Sequence, residues 1–192
     1  AGWFTLNYIY KSSFSVLSAV LYFTDSPIRI LETSGFISKG DMVQTGKTIM
    51  IPLDGERNIF IAGNSLSVRG GSGSRFRFKE LVSEKKTDIL TAEIELLSGS
   101  LWITRNENKD RVKVLTPKGY LLLNGNAEAE VRLTGSGSLE IRCWSGDAAF
   151  YPQKDSQEHI GLGPKRQTVI TESGGIATPY DINPDEVNLW EA

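Results

Sequence analysis

The chain is short of the residues that carry most enzymatic and metal chemistry. It has one cysteine, Cys143, so no disulfide forms within it and a cross-linked mini-scaffold is excluded. An outward-facing compartment stays open, because such proteins do not all carry disulfides. It has one histidine, His159, in the polar run Gln157-Glu158-His159-Ile160-Gly161. Without a second histidine or a neighbouring cysteine, His159 cannot complete a usual zinc site, and it reads as a surface side chain. No Gly-x-Ser-x-Gly elbow precedes a helix pattern, and no pair of acids stands out as general acid and base. Excess charge is missing too. With 21 Lys+Arg against 23 Asp+Glu, the net charge of -2 exerts no general pull on nucleic acid. These shortages predict a non-enzyme with no catalytic residue, no cofactor and no metal.

Long apolar runs and helical periodicity are also scarce. The run Gly2-Trp3-Phe4-Thr5-Leu6-Asn7-Tyr8-Ile9-Tyr10 ends at Lys11, and a second covers Phe14 to Phe23. Neither reaches the roughly 20 uninterrupted apolar residues of a membrane span. There is no leader pattern of charged start, apolar centre and small-residue cleavage site. Trp3, Tyr8, Tyr10 and Lys11 match the interfacial belt at the end of a span, so residues 1–27 read either as the outer end of a membrane anchor or as a first strand. The only helix candidates are residues 3–22 and a short turn over 185–192, opened by Asn183-Pro184.

What is present is β punctuation. A chain of 192 residues suits one domain or a compact pair, and buries roughly 70% of its unfolded surface without needing a metal or disulfide. Short runs rich in Val, Ile, Leu and Phe alternate with Gly, Ser, Asn, Asp and Pro. They predict strands over 28–31, 48–53, 58–61, 65–69, 75–81, 92–97, 101–105, 112–115, 120–123, 129–133, 139–144, 148–151 and 167–171. Phe76-Arg77-Phe78-Lys79 and Val112-Lys113-Val114 alternate cleanly, one face to a core. A weak repeat places similar turn–strand units at Leu66, Leu101 and Leu139, 35 and 38 residues apart. The expectation is an all-β fold of stacked antiparallel hairpins, a β-sandwich or a short solenoid, over residues 28–171. Residues 172–192 form an acidic tail with no lysine or arginine.

Several of these motifs, in order, resemble the FecR domain family. Gly40-Asp41-Met42-Val43-Gln44-Thr45-Gly46 is similar to its early turn, and Leu53-Asp54-Gly55-Glu56 with Asn64-Ser65-Leu66-Ser67-Val68 to its strand–turn–strand passage. Leu97-Ser98-Gly99-Ser100-Leu101-Trp102-Ile103 resembles the next turn and strand. Val112-Lys113-Val114-Leu115-Thr116-Pro117-Lys118-Gly119 is similar to the extended segment ending in Thr-Pro-x-Gly. Trp144-Ser145-Gly146-Asp147-Ala148 and Leu162-Gly163-Pro164-Lys165-Arg166-Gln167 resemble the closing turns, so the likeness covers about residues 35–171. The sequence departs from the pattern at Gly125-Asn126-Ala127, where the family often has Gly-Thr and an aromatic. The resemblance implies an all-β domain, periplasmic or otherwise outward-facing, in a family whose best-known members signal through a membrane anchor to a cytoplasmic sigma-factor partner. The cytoplasmic segment that this role needs is not in the sequence, so only the fold and the side of the membrane carry over.

The expected role is a binding, scaffold or signalling module that meets a protein partner, such as a membrane or envelope complex, with loops 69–75, 106–110 and 153–159 presenting contacts. Arg69-Gly70-Gly71-Ser72-Gly73-Ser74-Arg75 lacks the Lys-Ser ending of a phosphate loop and reads as a hairpin loop with basic flanks. Arg69, Arg75, Arg77 and Lys79 form a basic stretch that reads as a solvated face or as a surface for an acidic partner or anionic headgroups. Trp190, apolar on a polar tail, reads equally as docking on its own domain or as a partner-binding candidate, and the acidic tail could pair with the basic stretch of a second copy. A rival reading is a small-ligand or glycan receptor, in which Trp102 or Trp144 stacks on sugar from a concave face. Cys143 reads as a small buried hydrophobe.

Overall fold

A computed structural model describes residues 13–55, 57–152 and 158–183. All its regular structure is β. The chain runs through β1 (Phe14–Val16), β2 (Ala19–Thr24), β3 (Ile28–Ile30), β4 (Gly35–Ile37), β5 (Met42–Val43) and β6 (Thr48–Met50). It continues through β7 (Asn58–Ala62), β8 (Leu66–Gly70), β9 (Arg75–Glu84), β10 (Leu90–Arg105) and β11 (Arg111–Thr116). The last are β12 (Gly119–Leu133), β13 (Leu139–Tyr151), β14 (Ile160–Leu162), β15 (Arg166–Ile170) and β16 (Tyr180–Asp181). The all-β expectation holds. The helix expected over 3–22 does not, where it can be seen: β1 and β2 occupy its second half, because Ala19 and Leu21 alternate inward while Val20 and Tyr22 face out. Its first part, and the turn expected over 185–192, lie outside the described residues.

Three strands are much longer than the sequence suggests, and they define the architecture. The runs 92–97 and 101–105 are one strand, β10; 120–123 and 129–133 are β12; 139–144 and 148–151 are β13. Between the runs sit Ser98-Gly99-Ser100, Asn124-Gly125-Asn126 and Ser145-Gly146-Asp147, all turn chemistry. Each bends a continuous strand instead of reversing the chain. Gly99, Gly125 and Gly146 hold φ of 80°, 66° and 68°, a region that costs other residues. The ladder of β12 with β13 is irregular between Asn124 and Ala129, as a bulge at a bend requires.

The bends build two layers. One contains β9, the first half of β10, β11, the first half of β12, the second half of β13 and β14, with β1, β6, β3 and β4 beyond β9. The other runs β5-β2-β7-β8, then the second halves of β10 and β12, the first half of β13, and β15-β16. Phe60 on β7 meets Phe76 and Phe78 on β9 edge-on, at 5.5 and 6.3 Å, across the space between layers. Val68, Leu81, Ile94, Leu101, Ile103, Val114, Leu121, Val131 and Phe150 complete a fully buried core.

The repeated leucines now have a physical meaning. Leu66, Leu101 and Leu139 all start strand segments of the second layer, are all buried, and each follows a glycine of positive φ, Gly63, Gly99 or Gly137. The loop at 69–75, expected as a hairpin, is not one. β8 and β9 pair with different halves of β10, Gly70 opposite Leu101 and Arg75 opposite Ser98, so residues 71–74 carry the chain from one layer to the other.

At the opposite end the layers are tied by buried polar groups. β10 runs out to Arg105, and residues 106–110 return the chain beside its own start, where β11 pairs with it in parallel, Thr91 opposite Arg111. Five linking residues suffice to cross layers about 10 Å apart. Asp110, 4% exposed, accepts from the Leu90 backbone N–H at 2.9 Å with one oxygen and from the Ser65 hydroxyl with the other, so one carboxylate holds both layers. Arg105, 3% exposed, gives its guanidinium to the carbonyls of Glu107, Asn108 and Leu123.

Asp110→Ala is expected to cost about 3 kcal/mol in urea unfolding, since it leaves the Ser65 hydroxyl and the Leu90 N–H without their partner and removes the negative charge that favours the buried Arg105 cation. Gly146→Ala is expected to cost about 2 kcal/mol or more, because its Cβ would lie 2.2 Å from the Asn126 carbonyl oxygen at a φ of 68°. Stability unchanged in either variant would contradict this account of the bends and the clamp.

Candidate binding faces

The outer face of the first layer is charged and tightly paired. Arg77 and Lys79 on β9 face outward by the same alternation that buries Phe76 and Phe78. Arg77 pairs with Glu95 on β10. Glu93 on β10 lies between Lys79 at 3.7 Å and Lys113 on β11 at 3.6 Å. The Lys113 ammonium also sits 4.3 Å from the centre of the Tyr120 ring. Tyr120 stacks on Tyr151 at 4.8 Å, and Tyr151 on His159 at 5.2 Å. The result is a row of one cation, two phenols and one imidazole running across β11, β12 and β13 to the residue that precedes β14. A groove of about 430 Å³ lies beside it, walled by Glu95, Leu115, Pro117, Lys118 and Pro152.

Of the basic partner-binding candidates, Arg77 and Lys79 therefore spend their charge within the sheet. Arg75 is exposed at the start of β9, and Arg69 lies on the other layer, opposite Trp102. The four do not form one patch. Trp190 lies outside the described residues, and so does much of loop 153–159.

The outer face of the second layer is of another kind. Trp102 on β10 and Trp144 on β13 stack at 5.4 Å with ring planes 19° apart. Trp102 is 8% exposed, and its indole N–H donates to Glu128 at 2.7 Å. One face of each ring is thus used internally, and Trp102 has little surface left for a sugar. Next to them Glu130, only 1% exposed although it points away from the core, is held by Arg132 at 3.0 Å and Arg142 at 3.2 Å. Arg142 reaches on to Gln167 at 3.1 Å. Toward β5 the same face turns apolar: Met42, Val20 and Ile61 stand in one register row, with Phe23 opposite Ile59 alongside.

The tail continues this layer. Thr168 donates its hydroxyl to the Ala177 carbonyl at 2.7 Å, and the Ala177 and Ile182 N–H groups donate to Val169 and Lys165. Residues 175–182 thereby cover the outer edge of β15. Asp181, an acid of the tail, pairs with Arg166 of its own domain at 3.1 Å.

Reactive groups do not converge. Cys143 is fully buried in mid-strand, and burial first, then the nearby Asp147 charge, pushes its thiol up to about 11. Among the described residues no three His, Cys, Asp or Glu side chains group as a metal site, and no helix is long and apolar enough to cross a membrane. The stacked tyrosines and the Glu130–Arg142–Gln167 row escape sequence reading, because both depend on registers set by strands far apart in the chain. The one local sign is the alternation Glu128-Ala129-Glu130 against Arg142-Cys143-Trp144, which shows an outward face but not its pairing.

The fold and its faces define an all-β bilayer built on long bent strands. No protein-family model matches the sequence, and no curated protein matches it significantly. Among solved structures, two crystal structures of a putative anti-sigma factor from Parabacteroides distasonis ATCC 8503 share the fold, with TM-scores of 0.56 and 0.57 at 14% and 16% identity. In each case the match covers 74% of this chain and 63% of the other, so this chain spans less than two thirds of the length of those proteins. At such identity the likeness is one of fold.

The raised thiol makes a pH prediction. Between the ordinary value of 9.0 and about 11 the unfolded chain releases the Cys143 proton while the folded chain keeps it. The unfolded state then binds fewer protons, so this group's contribution to stability is full below pH 9 and falls as pH rises toward 11. The stability difference between the wild type and Cys143→Ala, from urea unfolding at a series of pH values, is expected to shrink over that window. A constant difference would show that the thiol ionises equally in both states.

Proposed function

We propose that this chain is the extracytoplasmic binding module of a FecR-type regulator: a non-enzymatic β platform that meets a protein partner and passes the event to a membrane-linked signalling apparatus. The observation that carries this reading is the fold shared over 74% of the chain with the two structures described as of a putative anti-sigma factor. The motif order from Gly40 to Gln167 supports it from the sequence side. An outward-facing position near a membrane is supported by that resemblance and by the aromatic, lysine-flanked run over residues 3–11. Arg75 is the basic candidate best placed for the partner, being exposed at the junction of the layers and making no ion pair among the described residues.

The test is transcriptional. In the source bacterium, the full-length gene product is replaced by versions lacking residues 13–183 or carrying Arg75→Glu, and transcripts are compared genome-wide. Loss of the module is expected to change a discrete, sigma-factor-dependent set of transcripts several-fold, and Arg75→Glu to change the same set in the same direction by less. An unaltered transcriptome on deletion of the module would sink the reading. An altered one with Arg75→Glu silent would move the contact elsewhere.

A further inference from the structure

The bend of β12 carries the only Asn-Gly step in the chain, Asn124-Gly125. Asn124 is exposed and stands opposite Asp147 in the ladder with β13. Gly125 has a φ of 66°, and neither it nor Asn126 has a partner in any strand register. An Asn side chain is thus followed by a backbone nitrogen that has no Cβ beside it and lies where the ladders are interrupted.

We propose that Asn124 is a site of spontaneous deamidation through its glycine neighbour. The Gly125 backbone nitrogen attacks the Asn124 side-chain carbonyl carbon. A new C–N bond closes a five-membered imide, the bond from that carbon to the side-chain nitrogen breaks, and ammonia leaves with the proton given up by the Gly125 amide. One water then opens the imide at either carbonyl, giving aspartate or, through the side chain, isoaspartate at position 124. No oxidant, reductant or cofactor enters.

Among the described residues, three other Asp or Asn steps with a small successor are less suited, the first of them an aspartate that could close the same imide only by losing water. At Asp54-Gly55 the glycine N–H donates to the Pro52 carbonyl at 3.1 Å. At Asn64-Ser65 the following residue is buried and its hydroxyl is committed to Asp110. At Asn126-Ala127 the following residue is buried and paired with Arg105. Only Asn124 combines exposure, a glycine successor and a broken ladder. The consequence falls on the bend itself. Both products put a negative charge opposite Asp147, where like charges oppose each other across a ladder. Isoaspartate also lengthens the backbone by one carbon at the point where β12 changes layers. The site adjoins loop 106–110, since a Cβ on Gly125 would lie 3.6 Å from the Asn108 side-chain oxygen.

The experiment ages the folded chain at mildly alkaline pH and follows its tryptic peptides by mass spectrometry with chromatographic separation of isomers. The peptide spanning residues 119–132 is expected to gain the mass of an NH₂-to-OH exchange and to split into aspartyl and isoaspartyl forms, several-fold faster than any other asparagine in the chain reacts. Asn124→Gln should leave that peptide unchanged, and Asn124→Asp should lower the urea midpoint in fresh protein. Modification at position 124 no faster than at Asn64 or Asn126 would overturn the proposal. So would equal rates in wild type and Gly125→Ala.

Discussion

Everything in this fold depends on strands that belong to two layers at once. β10 is the clearest case: its first half is held by β9 and β11, its second by β8 and β12, and the change occurs over a few residues around Gly99. A strand that leaves one sheet for the other must come back to close the layers at its far end, and there Asp110 and Arg105 take over. Burying an acid and a guanidinium is costly unless every polar atom is met. Here the acid is met from both layers and the guanidinium by three carbonyls. The bend at Gly99 at one end, and at the other the polar clamp with the bends at Gly125 and Gly146 beside it, fix the spacing within which the Phe60–Phe76–Phe78 cluster packs.

With the interior so committed, the two outer faces are free to differ. The first carries charge in alternating sign and a row of stacked rings; the second carries a tryptophan pair, a buried glutamate between arginines and an apolar margin. Both use their polar groups mostly within the sheet, which leaves a stiff surface with few unsatisfied groups. Such a surface suits recognition by shape and by a few exposed side chains.

Much of this was legible in the sequence, and the reasons for the rest are physical. Alternation at Phe76 to Lys79 and Val112 to Val114 located strands and their inner faces correctly, because side-chain period is a local property. The turn chemistry at Ser98-Gly99-Ser100, Asn124-Gly125-Asn126 and Ser145-Gly146-Asp147 was also real. What local sequence cannot say is whether a glycine of positive φ reverses the chain or bends it, since that depends on which neighbour pairs next. The hairpin expected at 69–75 failed for the same reason. Burial of Cys143 followed from its place in an alternating run, as expected. The basic stretch was visible as composition, but its partners Glu93 and Glu95 are joined to it only through the β9–β10 register. Trp102 and Trp144 were visible as large side chains, while their mutual stacking needed β10, β12 and β13 laid side by side.

The doubly paired strands have a last consequence, for how the molecule comes apart. A sandwich of two separate sheets can lose one and keep a remnant of the other. Here, freeing either sheet means extracting half of β10, β12 and β13 while the remaining halves stay laddered. Partial opening gains little chain entropy for the contacts it gives up, so melting should be all-or-none. Slow amide exchange would accordingly be spread evenly over both sheets, with no half of the molecule acting as a more durable kernel.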